Sequence, residues 1–466
     1  MFFRQYYLSC LSHASYLIGD TASGAAVVVD PQRDVSQYLA DAAEQGLRIT
    51  KVIETHFHAD FLSGHLELAR ETGAAIVYGA AAAGRTEFAI EALGDGAVLH
   101  LGDPAEGVSL TLLETPGHTP ESICVVVRER AADEAPYGVL TGDTLFIGDV
   151  GRPDLLAAVG FTADDLARQL YHSLHHKLLT LPDSTRVYPA HGAGSACGKN
   201  LSTETVSTIG EQRRSNYALA PMTEAAFVDA VTQGQAAAPL YFLYAATKNR
   251  QERPSLDEEA VVASLGIDEV LDAQARGAVV VDTRDSADFA AAHLRGSINV
   301  GLGGRFAEYT GEVVTPGTPI VVVADPGYEH EAKIRLARIG FDAVLGALSE
   351  PLAAFIARPD LVERASRLTA LELDARRAEV TGLQLIDVRG PGEAESGMIP
   401  GALNIQLPQL VHRMGELDPS VPTVVYCAGG YRSSIAASTL RHAGFGDVSD
   451  LLGGFGAWAN REVPAA

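Results

Sequence analysis

Short apolar runs rich in β-branched residues recur through the first half of the chain: Val27 to Asp30, Val52 to Glu54, Ile76 to Tyr78, Leu110 to Glu114, Ile123 to Val127 and Val139 to Thr141. Turn signals and stretches with helical spacing separate them, which predicts strands alternating with helices in an α/β sandwich. Near residue 240 the pattern changes. Lys248-Asn249-Arg250-Gln251-Glu252-Arg253-Pro254-Ser255 is polar and carries a proline, and Asp257-Glu258-Glu259 supplies a new helix start, so a domain boundary is placed there.

The second half repeats itself. Val279-Val280-Val281-Asp282-Thr283-Arg284 resembles Gln384-Leu385-Ile386-Asp387-Val388-Arg389, and the stretch from His293 to Val300 resembles that from Gly397 to Ile405. The pairs Asp282/Asp387, Gly296/Gly401 and Asn299/Asn404 are each 105 positions apart, and Ile339-Gly340-Phe341 matches Ala443-Gly444-Phe445. Duplicated units of about one hundred residues predict two α/β domains of one type, joined near Arg358 to Ser366. A length of 466 residues exceeds what one core organises. The expected division is residues 1–245, 259–358 and 367–466.

Composition narrows the function classes. Hydrophobic residues at 47% and charged residues at 20% are ordinary for a globular protein, and the apolar runs are too short to span a bilayer. The start, Met1-Phe2-Phe3-Arg4-Gln5-Tyr6-Tyr7, lacks the basic flank and sustained apolar stretch of a secretory signal, so a cytoplasmic protein is expected. A net charge of −24 opposes nucleic-acid binding, which needs concentrated Lys and Arg. Cys10, Cys124, Cys197 and Cys427 are far apart and form no CxxC pair, which fits thiols in a reducing compartment better than a disulfide framework.

Candidate chemistry lies first in Thr55-His56-Phe57-His58-Ala59-Asp60, with His118 in Thr115-Pro116-Gly117-His118-Thr119, Asp143 in Thr141-Gly142-Asp143-Thr144 and His191 in Tyr188-Pro189-Ala190-His191-Gly192. Each group follows an apolar run. Loops at strand ends can gather His and Asp from distant sequence into one cleft, and His plus carboxylate is a ligand set for zinc or non-haem iron.

The order and the local strings resemble the metallo-β-lactamase superfamily over about the first 245 residues, which implies an αββα sandwich. Dinuclear members carry H-x-H-x-D-H, and here Phe61 takes the last position, against a second metal. With one metal, His56, His118 and Asp143 make the 2-His-1-carboxylate triad that leaves positions open for dioxygen and a substrate sulfur, so one Fe(II) per chain is expected. The strings His56 to His65 and Gly142 to Asp154 resemble the persulfide dioxygenase branch rather than the glyoxalase II branch. His58, Asp60, His65 and His191 are expected beside the metal's ligands rather than among them. By the same resemblance Arg152 contacts the carboxylate or phosphate of a thiol carrier, a surface ion pair being the plainer alternative.

In the last repeat, Pro422-Thr423-Val424-Val425-Tyr426 predicts a buried strand, followed by Cys427-Ala428-Gly429-Gly430-Tyr431-Arg432-Ser433-Ser434 opening a helix. A loop of that shape points backbone amides at one atom, and amides, a helix N-terminus and Arg432 favour a Cys427 thiolate. Residues 368 to 466 resemble a rhodanese domain, including Leu452-Gly453-Gly454-Phe455-Gly456-Ala457-Trp458. Four residues separate Cys427 from Arg432 where related phosphatases have five, which implies sulfur transfer through a Cys427 persulfide. In the first repeat, Ala324 or Asp325 holds the cysteine position and Glu329 replaces Arg432, so the middle domain is expected to be an inactive rhodanese used for packing, docking or spacing.

The resemblance as a whole is to persulfide dioxygenase and rhodanese fusions. It implies dioxygen as co-substrate, and as partners a small thiol persulfide built on glutathione, coenzyme A or a similar thiol, thiosulfate and sulfite. Two rivals stay open: a zinc-dependent thioester hydrolase of the glyoxalase II kind, and a sulfur-trafficking protein that takes up no oxygen. The oligomeric state is equally open, dimers and tetramers being common among soluble enzymes.

Overall fold

In the computed structural model, which describes residues 1–155 and 160–461, every β-branched run singled out above lies in a strand, within one residue at its ends. The chain falls into two units, residues 1–235 with 242–258, and residues 236–241 with 259–466. In the first unit, β1 (Phe2–Leu8), β2 (His13–Asp20), β3 (Ala25–Val29), β4 (Arg48–Ile53), β5 (Ala75–Gly79) and β6 (Glu91–Leu93) form one sheet in chain order. A second sheet runs β7 (Val98–His100), β8 (Ser109–Glu114), β9 (Ile123–Arg128), β10 (Gly138–Gly142), β11 (Arg186–Pro189) and β12 (Ser207–Thr208).

Strand periodicity accounts for the layers. On β3, Val27 and Val29 join Ile53 and Val77 against Leu110, Leu112, Val125 and Val127 of the second sheet, while Ala26 and Val28 face Tyr38 and Ala42 of the helix Ser36–Glu44. Both faces of this strand are buried, which is why it reads as an unbroken apolar run. On the far side, Leu170 and Leu174 of the helix Ala163–His176 cover Val126 and Val139. Each fully buried Val or Leu contributes about 1.5–3 kcal/mol by leaving water.

The second unit contains the repeat as two five-stranded parallel sheets of one topology. Its strands are β13 (Ser264–Leu265), β14 (Val279–Asp282), β15 (His293–Leu294), β16 (Ile298–Asn299), β17 (Ile320–Val323), β18 (Val344–Leu348), β19 (Val362–Glu363), β20 (Ser366–Leu368), β21 (Gln384–Asp387), β22 (Leu403–Asn404), β23 (Thr423–Tyr426) and β24 (Val448–Leu451). The sheet orders are β13-β18-β17-β14-β16 and β20-β24-β23-β21-β22, with β15 and β19 paired separately. The repeated residues make the same bonds twice. Arg284 forks onto Asp282 and Arg389 onto Asp387, while Asn299 donates to the carbonyls of Asp282 and Arg284 as Asn404 does to those of Asp387 and Arg389. Gly296 and Gly401 both turn with positive φ, +76° and +84°.

The polar stretch Lys248 to Ser255, expected from composition to lie between domains, packs into the first unit, with Asn249 and Arg253 buried. Asn249 and Arg253 are hydrogen-bonded inside the fold, while Glu252 and Ser255 stay exposed. Among the described residues no helix is long and apolar enough to cross a membrane.

Candidate functional site

β4, β8, β10 and β11 end at Ile53, Glu114, Gly142 and Pro189, and the loops that follow carry His56, His118, Asp143 and His191. His56, His118 and Asp143 are all buried and each offers one ligand atom within 4.8 Å of the others. Oδ2 of Asp143 lies 3.9 Å from Nε2 of His56 and 3.6 Å from Nε2 of His118. Nε2 of His56 and Oδ2 of Asp143 are buried with no hydrogen-bond partner. Leaving such groups unsatisfied costs about 1–3 kcal/mol each, a cost that a cation bound between them offsets. The donor set therefore fits a divalent transition metal.

The other ring nitrogens explain why these atoms converge. Nδ1 of His118 is 2.8 Å from the carbonyl oxygen of Arg152, and Nδ1 of His56 is 3.0 Å from Oγ1 of Thr55. Such contacts fix ring orientation and leave Nε2 facing inward. Burial, reinforced by His58, His118 and His191, holds the pKa of His56 well below the ordinary value, so its ring is neutral and able to ligate.

A second layer surrounds the three. His191 bridges two carboxylates, with Nδ1 2.7 Å from Asp143 and Nε2 2.7 Å from Asp60. Burial opposes its charge, but the two carboxylates outweigh burial and raise its pKa well above the ordinary value. Asp143 is correspondingly lowered: burial works against its charge, and His191 and His118 overcome it. The ring of His58 lies 4.1 Å from that of His56, with Nε2 3.0 Å from Asp30 and 3.4 Å from Glu54. Burial disfavours its charge as well, yet Asp30, Glu54 and Asp60 push it up to about 9. His65 opens the helix His65–Thr72 with Nδ1 3.7 Å from Glu54. The buried ring of Phe61 sits 4.0 Å from that of His13 and 4.4 Å from that of His58.

Arg152 lies inside the fold. Its guanidinium meets both oxygens of Asp154 at 2.7 Å and the carbonyl of Ala196 at 3.2 Å, while its own carbonyl orients His118. Burial separates this pair from the surface ion pair considered from sequence, and the fork is directed at Asp154. Two neighbours of the site went unrecognised in the sequence. Cys197 groups with Asp60 and His191, and His13, with both ring nitrogens buried and unpartnered, lies 5.7 Å from the ring of His191. Cys197 could have been found from its place six residues after His191; nothing in the spacing marks His13.

The thiol loop belongs to the second unit. β23 ends at Tyr426 and the buried Cys427 follows, its sulfur accepting a bond from the Gly430 amide at 3.1 Å. Gly430, at φ +108°, turns the loop into the helix Tyr431–His442, whose N-terminus is directed toward the sulfur. Arg432 forks onto Glu393 at 2.8 and 2.7 Å. In the other repeat Asp282 pairs with Val323 as Asp387 pairs with Tyr426, so Ala324 stands where Cys427 does, without a gap, and Glu329 where Arg432 does. A cavity of about 600 Å³ at this loop is lined by Asp285, Asp325 and Glu331, an acidic surround unfavourable to anions.

Comparison with known proteins follows the same division. The family model described as the metallo-beta-lactamase superfamily matches residues 8–191, and that of the rhodanese-like domain matches residues 267–348 and 369–461. The mitochondrial persulfide dioxygenase of Bos taurus is 32% identical over 204 residues, which cover 43% of this chain and 69% of that protein. The hydroxyacylglutathione hydrolase of Polaromonas sp. is 34% identical over 177 residues, 38% of this chain and 61% of that protein. The solved metallo-beta-lactamase from Staphylococcus aureus subsp. aureus COL superposes with a TM-score of 0.66 at 31% identity, covering 74% of this chain and 98% of that one.

Proposed function

The chain belongs to the metallo-β-lactamase superfamily, with rhodanese-like domains following that fold, and on this premise we propose that it is an iron-dependent persulfide dioxygenase coupled to sulfur transfer. The observation that carries the reading is the convergence of one carboxylate and two imidazoles from three strand-end loops. The ligand atoms of His56, His118 and Asp143 lie within 4.8 Å of one another, while Nε2 of His191 lies 2.7 Å from Asp60 and Phe61 stands in the motif where dinuclear members carry a histidine. These three residues would hold Fe(II), which when bound supplies the redox chemistry that lets dioxygen react with sulfur.

The net reaction balances as thiol persulfide, dioxygen and water giving thiol, sulfite and two protons. Four electrons pass from the outer sulfur to dioxygen. The residues of the chain prepare the place for it. His191 keeps Asp143 ionised, Thr55 and the Arg152 carbonyl hold the two imidazoles in register, and the buried Phe61 ring helps keep water away from a reactive persulfide.

In the last domain, the Cys427 thiolate attacks the outer sulfur of thiosulfate. The bond to the sulfonate sulfur breaks, sulfite leaves with its electron pair, and a Cys427 persulfide remains, ready to pass its outer sulfur to a small thiol. The Gly430 amide and the helix N-terminus favour the negative sulfur, and Glu393 holds Arg432 at the loop. The middle domain, with Ala324 in place of the cysteine, has no nucleophile for this step. Tethering the two chemistries raises the effective concentration of their shared intermediate.

Similarity to a hydroxyacylglutathione hydrolase supports a second reading, a zinc-dependent thioester hydrolase. Anaerobically iron-loaded chain given a small-thiol persulfide separates the two. Oxygen uptake kept in Cys427→Ser and abolished in His118→Ala supports the dioxygenase; thioester hydrolysis with two zinc ions per chain and no uptake replaces it.

A further inference from the structure

We infer that Asn249 and Arg253 are positioning residues of the metal centre, acting through the backbone of the turn from His58 to Ser63; the inference rests on reading His56, His118 and Asp143 as the metal's ligands. Asn249 follows the helix Phe242–Lys248 and is buried. Its Oδ1 accepts from the Ser63 amide at 2.9 Å, and its Nδ2 donates to the carbonyls of His58 at 2.8 Å and Phe61 at 2.7 Å. Apart from an isolated bridge between Ser63 and Gln32 at its end, the turn has no regular secondary structure, and one side-chain amide serves three of its backbone groups. Two carbonyls facing one nitrogen and an amide facing the oxygen allow a single orientation of Asn249.

Arg253 holds the far end of the same turn. It donates to the Ser63 carbonyl and to both oxygens of Glu67 at 2.7 and 2.8 Å. Glu67, in the first turn of the helix His65–Thr72, also accepts from Arg33 at 3.2 Å and from the Leu256 amide at 3.3 Å. All three charged side chains are buried. The segment from 249 to 256 thus pins both the turn and the helix that continues it.

The route to the metal is short. The turn carries Asp60, which holds His191 at 2.7 Å, which holds Asp143 at 2.7 Å. It also begins two residues after His56. Metal–ligand distances tolerate only about 0.2 Å, so a turn whose strand pairing is one isolated bridge at its end needs a further hold if three ligands from three loops are to meet one ion. Asn249 and Arg253 supply that hold from a stretch whose composition resembles a solvated linker.

The test uses the full chain, metal-free, in three variants beside the parent. Asn249→Asp keeps the acceptor for the Ser63 amide and loses both donors. Arg253→Lys keeps a charge opposite Glu67 and loses the fork and the bond to Ser63, so it gives the decision should Asn249→Asp fail to fold. His118→Ala removes a ligand. Each is checked for folding by thermal unfolding and titrated anaerobically with iron(II). The half-saturating iron(II) concentration is expected to rise about 10–100-fold in the first two, the range for residues that support a ligand without touching the metal. A purely structural role would lower the unfolding temperature and leave that concentration unchanged in the folded variant, and this result overturns the inference. Parent-like iron(II) binding by His118→Ala would instead overturn the ligand reading on which the inference rests.

Discussion

Replacing Gly454 by alanine tests how the Cys427 loop is held. Gly454 has φ +57°, and a Cβ built there lies 2.3 Å from the Cys427 carbonyl oxygen and 2.7 Å from the backbone of Ala428. Both clashing groups are main chain, which no rotamer change relieves. The left-handed conformation costs an alanine about 1–2 kcal/mol and overpacking costs about 1–3 kcal/mol more, so the last domain should lose about 2–5 kcal/mol. Relief requires the Cys427 carbonyl to move by about 1 Å, and a displacement of that size at a reacting group costs about 100-fold in rate. The assay is thiosulfate-to-cyanide sulfur transfer, with iron content as an internal control that should stay at the parent value. Gly456→Ala is the matched comparison. Its Cβ would lie 3.5 Å from the Ala428 oxygen, an ordinary contact, and it sits within the helix Gly454–Ala459, where alanine is favoured over glycine by about 0.5–1 kcal/mol. Sulfur transfer should fall in Gly454→Ala and persist in Gly456→Ala. Parent-like turnover by folded Gly454→Ala would refute the close-approach argument.

Three further outcomes are expected. Glu67→Gln leaves the buried guanidiniums of Arg33 and Arg253 without a carboxylate and should cost the first unit about 3–5 kcal/mol in urea unfolding; a loss under about 1 kcal/mol would mean the pairs are not the constraint their burial implies. His293 is buried and stacked 3.8 Å from Phe289, and burial, opposed by the Phe289 carbonyl, pushes it down to about 4. The unfolded chain therefore takes up this proton first, at about 6.5, and the middle domain loses up to about 3 kcal/mol as pH falls from about 6.5 to about 4; hydrogen exchange in β14 should show a pH dependence that His293→Gln reduces. Ala324→Cys in a Cys427→Ser chain should not restore thiosulfate turnover, because Asp325, Glu329 and Glu331 still surround the loop, and measurable turnover would contradict this.

Much of the fold was legible because its signals are local and repeated. The β-branched runs became strands, and the spacing of Asp282/Asp387 and Asn299/Asn404 marked two domains since those residues make identical backbone-capping bonds in each. His56, His118 and Asp143 stood out because each follows a strand end, and the fold brings their ligand atoms within 4.8 Å of one another. Asn249 and Arg253 did not, since a polar residue that pays for its burial with three or four bonds has the same composition signature as one in water. For Arg152 the sequence offered a carrier contact or a surface ion pair, and its burial against Asp154, which separates it from the second, is not visible in the spacing of the two residues. The one-residue uncertainty between Ala324 and Asp325 was settled by strand register, which no single sequence displays.

The most direct measurement of the central proposal is the ratio of sulfite formed to dioxygen consumed by full-length, iron-loaded Cys427→Ser protein given a small-thiol persulfide, with metal counted on the same sample. One sulfite per dioxygen with one iron per chain is the predicted result. No oxygen consumption from a chain that holds one iron would contradict it and leave the first unit without the activity proposed here.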